Sequence, residues 1–476
     1  MLIHVLACDY DGTIAEAGVV APATRAALAR VRESGREVVL VTGRTFDDLH
    51  AVCPDLDQMF DAVVAENGAL LYVPAEGGVK TLGEAPEPAL VEALERHGVP
   101  LELGASIIAT GAGFAEWALA AIRETGVERT LVFNKGSVML LPGGITKATG
   151  LAAALAGMAR SPHNTVGVGD AENDHAFLSQ CECAAAVADA VPALRERADW
   201  VSRGPGPLGV VELVDTHVLA DAIDLLPRIP RHRITLGERS DGTPAALPAH
   251  LTRLLLVGSP ASGTSALTTV LVERLVEASR AVCLIDPAGE HARLAELKAF
   301  VVLGGPAGRA LPTPDGLAQL LPHPRTSLVL DLSALPRGEM VSYATTALAA
   351  VEAVRVATGM PHWLVIDQVQ RLVPGDGADP AEWLRPGDGS LCLVASAADR
   401  LPPGVRGLVN TLVGTEPAAF DTALRALRGT APGLPPTNGS DALLADLRGP
   451  GLRIERFRVA SPGIHRRPLP NPGRRP

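Results

Sequence analysis

The run Leu2-Ile3-His4-Val5-Leu6-Ala7-Cys8 is almost wholly apolar and ends in Asp9-Tyr10-Asp11-Gly12-Thr13. A short continuous apolar run reads as a strand buried on both faces, and such strands belong to parallel sheets covered by helices. Two carboxylates then stand two residues apart at the C-terminal end of the strand, the edge at which open α/β sheets bind ligands. Gly12 lets the chain turn sharply, and Thr13 can hydrogen-bond inside the turn. Carboxylates this close repel, so the site calls for a cation or a shared proton. An acidic turn is the plainer reading of a bare D-x-D pair, and the rest of the chain weighs against it.

Polar clusters recur at the ends of later apolar runs. Residues 37–41 predict a second strand, ending in Thr42-Gly43-Arg44, where a hydroxyl and backbone N–H groups can hold a phosphoryl oxygen. Residues 62–65 predict a third, followed by Glu66-Asn67-Gly68, and Asn67 joins Thr42, Gly43 and Arg44 as a candidate substrate contact. Residues 164–168 predict a fourth, ending in Gly169-Asp170-Ala171-Glu172-Asn173-Asp174. Oxygen ligands of this kind suit Mg²⁺, and Asp170 and Asp174 complete a magnesium site with Asp9 and Asp11. A helix is predicted over 22–34, ended by Gly35. From 82 to 141 the alternation breaks. A helix (89–97), a strand (101–109), a helix (114–125) and two short strands around Asn134-Lys135-Gly136 suggest an inserted α+β lid. Gly144 to Gly150 then opens a helix running through Arg160, with Lys147 near its start. The chain has four lysines, Lys80, Lys135, Lys147 and Lys298, so this placement is informative. A cation here offsets the repulsion between a carboxylate pair and a phosphate.

At 476 residues the chain suggests about three structural units. Aromatic residues make up 3%, which argues against base-stacking platforms. Asp9 and Asp11 interrupt the first apolar run, the first basic residue is Arg25, and no stretch reads as the ~18 apolar residues of a membrane span. The six cysteines show no metal or disulfide spacing, and Cys181-x-Cys183 lacks a partner pair. A cytoplasmic protein is expected. Charge divides the chain. Residues 1–230 carry 16 basic and 31 acidic side chains, and residues 231–476 carry 26 and 22. From Arg453 to Arg475 there are seven arginines against Glu455 alone. This stretch reads as a solvated basic tail, with an anionic partner as the alternative.

In the second half, Gly- and Pro-rich residues around 203–250 enclose one helical run, 210–226, and place a boundary near 227–232. Residues 253–257 predict a buried strand, followed by Gly258-Ser259-Pro260-Ala261-Ser262-Gly263-Thr264-Ser265 and a helix to 279. Strand, glycine-bearing loop and helix are the setting of a phosphate-binding loop. A strand over 282–285 runs into Asp286-Pro287-Ala288-Gly289-Glu290. Further strands are expected at 327–331, 363–366 (ending in Asp367-Gln368), 391–395 and 408–413.

The order D-Y-D-G-T, V-T-G-R, Lys147, G-D-A-E-N-D resembles the haloacid dehalogenase superfamily of phosphohydrolases. A lid between the second and third motifs is similar to the IIB subgroup, which includes sugar-phosphate phosphatases. The resemblance covers residues 1 to about 225. It implies a Rossmann-like core (1–81 and 142–226) with an inserted α+β cap (82–141). It also implies Asp9 as a nucleophile forming an aspartyl-phosphate, and Asp11 as general acid and then base. Thr42 and Lys147 would hold the phosphoryl group. Mg²⁺ would be bound by Asp9, the Asp11 backbone carbonyl and Asp170, with Asp174 and Asn173 in support. Residues 232–460 resemble the HerA-type, FtsK-related P-loop ATPases. This implies a second α/β domain (227–460) with Gly258, Gly263, Thr264, Ser265 and Asp367 at a nucleotide site, followed by a disordered tail (461–476). That resemblance fails at two catalytic positions: Thr264 stands where the family has lysine, and Gln368 where it has glutamate. A P-loop fold kept as scaffold is therefore expected, with ATP binding, nucleic-acid contact and ring assembly left open. The expected ligand of the first half is a small phosphorylated metabolite.

Overall fold

The computed structural model describes residues 1–134, 136–306, 309–373, 389–438, 441–449 and 451–463. The chain divides into two compact units, residues 2–226 and 227–476.

In the first unit an eight-stranded sheet runs in the order β12-β11-β10-β1-β2-β3-β4-β5. Its strands are β1 (Val5–Cys8), β2 (Glu37–Val41), β3 (Ala62–Ala65), β4 (Leu70–Val73), β5 (Gly78–Thr81), β10 (Thr165–Gly169), β11 (Cys183–Ala186) and β12 (Trp200–Val201). From β12 to β3 the strands are parallel, while β4 and β5 are antiparallel. The apolar N-terminal run becomes the central strand because every side chain from Val5 to Cys8 is buried. Its neighbours are β10 and β2, so their three polar C-terminal ends lie side by side.

Between β5 and helix Lys147–Gly157 the chain forms a cap. Its antiparallel sheet runs β6-β7-β9-β8, with β6 (Glu102–Leu103), β7 (Ile108–Gly111), β8 (Arg129–Asn134) and β9 (Ser137–Pro142). Helices Pro88–Arg96 and Ala115–Thr125 bury Leu90, Ala93, Leu94, Ala118 and Ala121 against Ile108 and Leu140. The single strand expected over 101–109 is instead a hairpin, β6 and β7, because the chain turns at Gly104-Ala105-Ser106. The helical run expected over 210–226 is a helix only over Gly206–Leu213, continues as a wider turn over Val214–Val218, and then unwinds ahead of Pro227.

The second unit holds an eleven-stranded sheet, ordered β14-β13-β23-β22-β21-β15-β20-β19-β16-β18-β17. The strands are β13 (Arg233–Arg239), β14 (Pro244–Pro248), β15 (Arg253–Val257), β16 (Val282–Asp286), β17 (Phe300–Gly304), β18 (Ser327–Asp331), β19 (Trp363–Ile366), β20 (Ser390–Ala395), β21 (Thr411–Gly414), β22 (Asp441–Asp446) and β23 (Arg453–Val459). From β21 to β17 they are parallel. Alternate residues of β15 feed two separate cores, Leu255 and Val257 on one face, Leu254 and Leu256 on the other. Such two-sided burial is what makes a parallel strand read as an unbroken apolar run.

Two sequence expectations change here. Arg453, Arg456 and Arg458 belong to β23, where Phe457 is buried, so the basic stretch begins as an ordered strand. Residues 464–476 of the expected tail lie outside the described residues. Helix Arg337–Thr358 is also long and apolar enough to pass for a membrane span by length and composition. Met340, Ala344, Leu348 and Val351 on it nevertheless pack into the unit's core.

Candidate active site

Asp9 follows directly on β1 and extends its ladder, its N–H donating to the Val168 carbonyl at 3.0 Å. The Tyr10 carbonyl gathers the N–H groups of Thr13, Ile14 and Ala15, folding D-Y-D-G-T into a tight loop. That loop aims the Asp9 carboxylate into the protein, where it is 5% exposed. Lys147 is the first residue of helix Lys147–Gly157, whose start is fixed by reciprocal capping between Thr146 and Thr149. Its Nζ lies 2.5 Å from Asp9 Oδ1 and 2.6 Å from Asp174 Oδ1. Asp174 is itself fixed, because its other oxygen accepts the N–H groups of Asp170 and Ala171 at 2.8 and 2.9 Å. Thr13 Oγ1 donates to Asp170 Oδ1 at 3.1 Å, joining the loop after β1 to the loop after β10.

The electrostatics follow from burying three carboxylates with one ammonium. Burial and then the Asp174 charge push the Asp9 pKa up to about 7, with Lys147 opposing them. Burial alone lowers the pKa of Lys147, but Asp174 and Asp9 together hold it above the ordinary lysine value. Ligand oxygens of Asp9, Asp170 and Asp174 lie within 4.8 Å of one another. Asn173 Oδ1 is buried without a hydrogen-bond partner. An all-oxygen donor set with surplus negative charge fits a hard divalent cation.

Thr42 and Asn67 stand on the same edge. Asn67 N–H donates to the Thr42 carbonyl at 3.0 Å, and Asn67 Oδ1 accepts from Asn173 Nδ2 at 2.9 Å. Gly43 lies under cap residue Met139, whose Cε would be 3.0 Å from a Cβ there. The structure therefore brings Asp9, Thr42, Gly43, Asn67, Lys147, Asp170 and Asp174 to one edge of the sheet. The Asp11 carboxylate is held elsewhere, in a two-pronged pair with Arg44 (Nε–Oδ2 2.6 Å, Nη2–Oδ1 2.7 Å), and Arg44 also binds Asp48 at 2.5 Å. The sequence motifs point to no role for Glu66 or Met139, and the Thr13 hydroxyl, expected to bond inside its own turn, reaches Asp170 instead. Only Glu66 carried a signal, an acidic residue beside Asn67 at the end of a buried strand.

In the second unit, Gly258 and Gly263 flank the loop after β15, and Thr264 and Ser265 begin helix Thr264–Glu277. Thr264 Oγ1 is enclosed, 3.0 Å from the Ser259 carbonyl and 2.9 Å from Thr415 Oγ1. Ser265 Oγ donates to Glu290 Oε2 at 2.6 Å, and Gln368 Nε2 donates to Glu290 Oε1 at 2.8 Å. Asp367 pairs with buried His291 at 2.9 Å. Ser265 and Asp367 are thus linked through Glu290 and Gln368 rather than to each other.

The first unit is thus a mostly parallel α/β sheet whose polar edge carries a carboxylate–lysine cluster, with a smaller α+β cap inserted in the chain. The model of the haloacid dehalogenase-like hydrolases matches residues 6–97 and 118–212. A phosphoglycolate phosphatase of Methanothermobacter thermautotrophicus is 30% identical over 222 residues, covering 44% of this chain and 97% of the relative. Phosphoglycolate phosphatase 2 of Saccharolobus solfataricus is 29% identical over 220 residues, 44% of this chain and 91% of the relative. Among solved structures, a haloacid dehalogenase-like hydrolase from Bacteroides thetaiotaomicron aligns with a TM-score of 0.40 and 16% identity, covering 45% of this chain and 98% of that one. A sugar phosphatase of haloacid dehalogenase subclass IIB aligns with a TM-score of 0.38 and 16% identity, covering 44% and 97%. The chain belongs to the haloacid dehalogenase-like hydrolases, and it is an enzyme of their phosphatase type.

Proposed function

We propose that the first unit is a Mg²⁺-dependent phosphatase that cleaves a small phosphorylated metabolite through an aspartyl-phosphate. The observation that carries this reading is the buried Lys147 ammonium shared by Asp9 and Asp174, with Asp170 beside them. The Asp9 carboxylate attacks phosphorus, the bond to the leaving oxygen breaks, and Asp11 gives that oxygen a proton. Water then attacks the same phosphorus, Asp11 takes its proton, and the Asp9–phosphorus bond breaks to release phosphate. Thr42, the Gly43 backbone and Lys147 hold phosphoryl oxygens, while Arg44 and Asn67 contact the substrate. Asp9, the Asp11 carbonyl and Asp170 would hold Mg²⁺, with Asp174 in support, and the bound ion would supply charge that screens the anionic phosphate from the anionic nucleophile. Asp11 serves as the acid once its carboxylate leaves Arg44.

In this reading residues 1–81 and 142–226 form the catalytic core, and residues 82–141 form the cap that selects the substrate. A short phosphorylated acid is the first substrate class, a reading supported by the relatives named phosphoglycolate phosphatases, with sugar phosphates second. The test is a panel of phosphorylated metabolites with Mg²⁺, run beside Asp9→Asn. Turnover of one short phosphorylated acid that vanishes in the variant is expected. Hydrolysis that survives Asp9→Asn rejects the mechanism.

For residues 227–460 we infer a P-loop NTPase-like domain of the HerA and FtsK kind that has lost motor activity. Support comes from the order of the parallel strands, β21-β15-β20-β19-β16, and from a glycine-flanked loop leading β15 into a helix. Ser265 and Asp367 leave weak nucleotide binding in reach, with nucleic acid or a ring of copies as the partners such a domain would serve.

A further inference from the structure

We propose that Glu66 is a positioning residue that docks the cap over the phosphoryl site. The inference rests on the phosphatase reading for its catalytic consequence, while the docking contact stands on geometry alone. Glu66 follows β3 and precedes Asn67, at the edge that carries Asp9 and Thr42. Its side chain reaches into the cap. One carboxylate oxygen accepts the Ala105 N–H and the other the Ser106 N–H, each at 2.8 Å. Two consecutive backbone donors converging on the two oxygens of one carboxyl group make a strong, directional contact. Glu66 is 1% exposed, so water does not compete for it.

The cap is shaped to receive this carboxylate. A Cβ on Gly104 would stand 2.6 Å from both the Glu66 carboxyl carbon and Oε1, so a side chain there would displace the carboxylate from its two N–H donors or shift the loop. The turn that carries these donors also splits β6 from β7. Ser106 passes the contact to the chain entering the cap. Its Oγ donates to the Gly83 carbonyl at 3.0 Å, and its carbonyl accepts from Arg129 Nη1 at 2.5 Å. Arg129 also reaches the Ala85 carbonyl at 2.7 Å and Glu87 at 2.9 Å. A grip on residues 105–106 is therefore a grip on the linker at 83–87.

On the core side the grip continues into the site. Glu66 and Asn67 both have φ of +53°, a conformation that non-glycine residues rarely hold unless their surroundings fix it. Here Glu66 N–H donates to the Arg44 carbonyl at 2.9 Å, and Asn67 N–H to the Thr42 carbonyl. Asn67 then binds Asn173 in the acidic loop and Met139 in the cap. One short turn thus ties cap position to Thr42 and to the loop carrying Asp170 and Asp174. Thr45 Oγ1 with Glu102 Oε1 at 3.0 Å adds a second core–cap contact nearby.

The test uses the full chain with Glu66→Gln and Gly104→Ala, which break the same contact from opposite sides. Amide exchange is read over residues 104–107, and kinetics are read on phosphoglycolate and on p-nitrophenyl phosphate. Both variants should speed exchange at Ala105 and Ser106 by about tenfold or more. Both should raise KM for phosphoglycolate about tenfold while kcat on p-nitrophenyl phosphate stays within about threefold. Unchanged exchange in both variants overturns the docking contact. Faster exchange with equal loss of kcat on both substrates overturns the positioning role, since that is the mark of a general lesion. Should the unaltered chain cleave neither ester, the phosphatase reading fails, while the exchange arm still decides the docking contact.

Discussion

A Cβ placed on Gly68 would stand 1.9 Å from the carbonyl oxygen of Thr146. The turn after β3 and the start of helix Lys147–Gly157 are in backbone contact, and the approach continues one turn along the helix. There a Cβ on Gly150 would lie 2.5 Å from Gly68 Cα and 2.4 Å from Val64 Cγ1. Lys147 reaches Asp9 and Asp174 because this helix sits so close to the sheet edge. A site lysine carried on a helix needs that helix locked, and two glycines remove the side chains that would keep it away.

Gly68→Ala should therefore damage both fold and activity. Gly68 has φ of +104°, so alanine adds backbone strain to the clash with Thr146. The expected loss of stability is roughly 3–5 kcal/mol, the range of overpacking combined with a forbidden backbone conformation. Chemical denaturation reads the loss directly. A stable Gly68→Ala protein with normal turnover would show that the helix can shift without displacing Lys147.

Turnover itself should depend on two aspartates in different degrees. Asp9→Asn keeps the shape and removes the nucleophile, so hydrolysis should fall to background. Asp11→Asn should cost on the order of 10²–10⁴-fold, the usual range for a general acid or base. Arg44→Ala frees the Asp11 carboxylate from its two-pronged pair and should raise KM more than it lowers kcat. Excess chelator should abolish activity and Mg²⁺ should restore it. Activity that persists in chelator contradicts the metal requirement.

The strained charge of Asp9 should appear in the stability of metal-free protein. With a folded pKa of about 7 against 3.8 as a free group, native Asp9 binds a proton more readily than unfolded Asp9. Stability contributed by the protonated form is present at low pH and is lost as pH rises from about 4 through about 7. Asp9→Asn removes that titration. In chelator, wild type should lose melting temperature between pH 5 and pH 8 relative to Asp9→Asn, and Mg²⁺ at pH 8 should recover the difference. Parallel melting curves for the two proteins would show that Lys147 already balances the cluster.

The polar sheet edge is legible in the sequence because each of its strands is an apolar run closed by polar residues, a pattern that depends on local burial alone. Asp9, Thr42, Asn67 and Asp170 all sit at such junctions. What could not be read depends on distant partners. The hairpin at Gly104–Ser106 looks like one continuous strand, since Glu66, which satisfies its turn, lies far away in the sequence. Strand β23, Arg-Ile-Glu-Arg-Phe-Arg-Val, looked like tail because arginines alternate with its apolar positions. Arg239 bonded to Glu455 at 2.5 Å shows how the sheet neutralises that face. Helix Arg337–Thr358 hid behind Arg355, a charge in its last turn that is buried and donates to the Ser390 carbonyl at 2.9 Å.

The second unit should not hydrolyse ATP at a motor's rate. Helix N-terminal N–H groups beyond the loop after β15 can still attract a phosphate. No lysine follows Gly263, and Thr264 is enclosed by Ser259 and Thr415, so it offers neither charge nor reach. Gln368 cannot act as a base, and its amide is bonded to Glu290, which also holds Ser265. Loss of one electrostatic donor costs about 2.7–4 kcal/mol of transition-state stabilisation in enzymes generally, and here two contributions are missing. The assay uses full-length Asp9→Asn protein, so that the first unit cannot consume ATP, with and without DNA. Turnover at background is expected. Thr264→Lys with Gln368→Glu should recover little, because a lysine must displace the Thr415 contact before it can reach a phosphate. Glu290 is the residue to watch: if the Asp9→Asn chain does turn over ATP and Glu290→Gln stops it, the acid missing at Gln368 is supplied from the loop after β16, and the second unit is a motor in its own right.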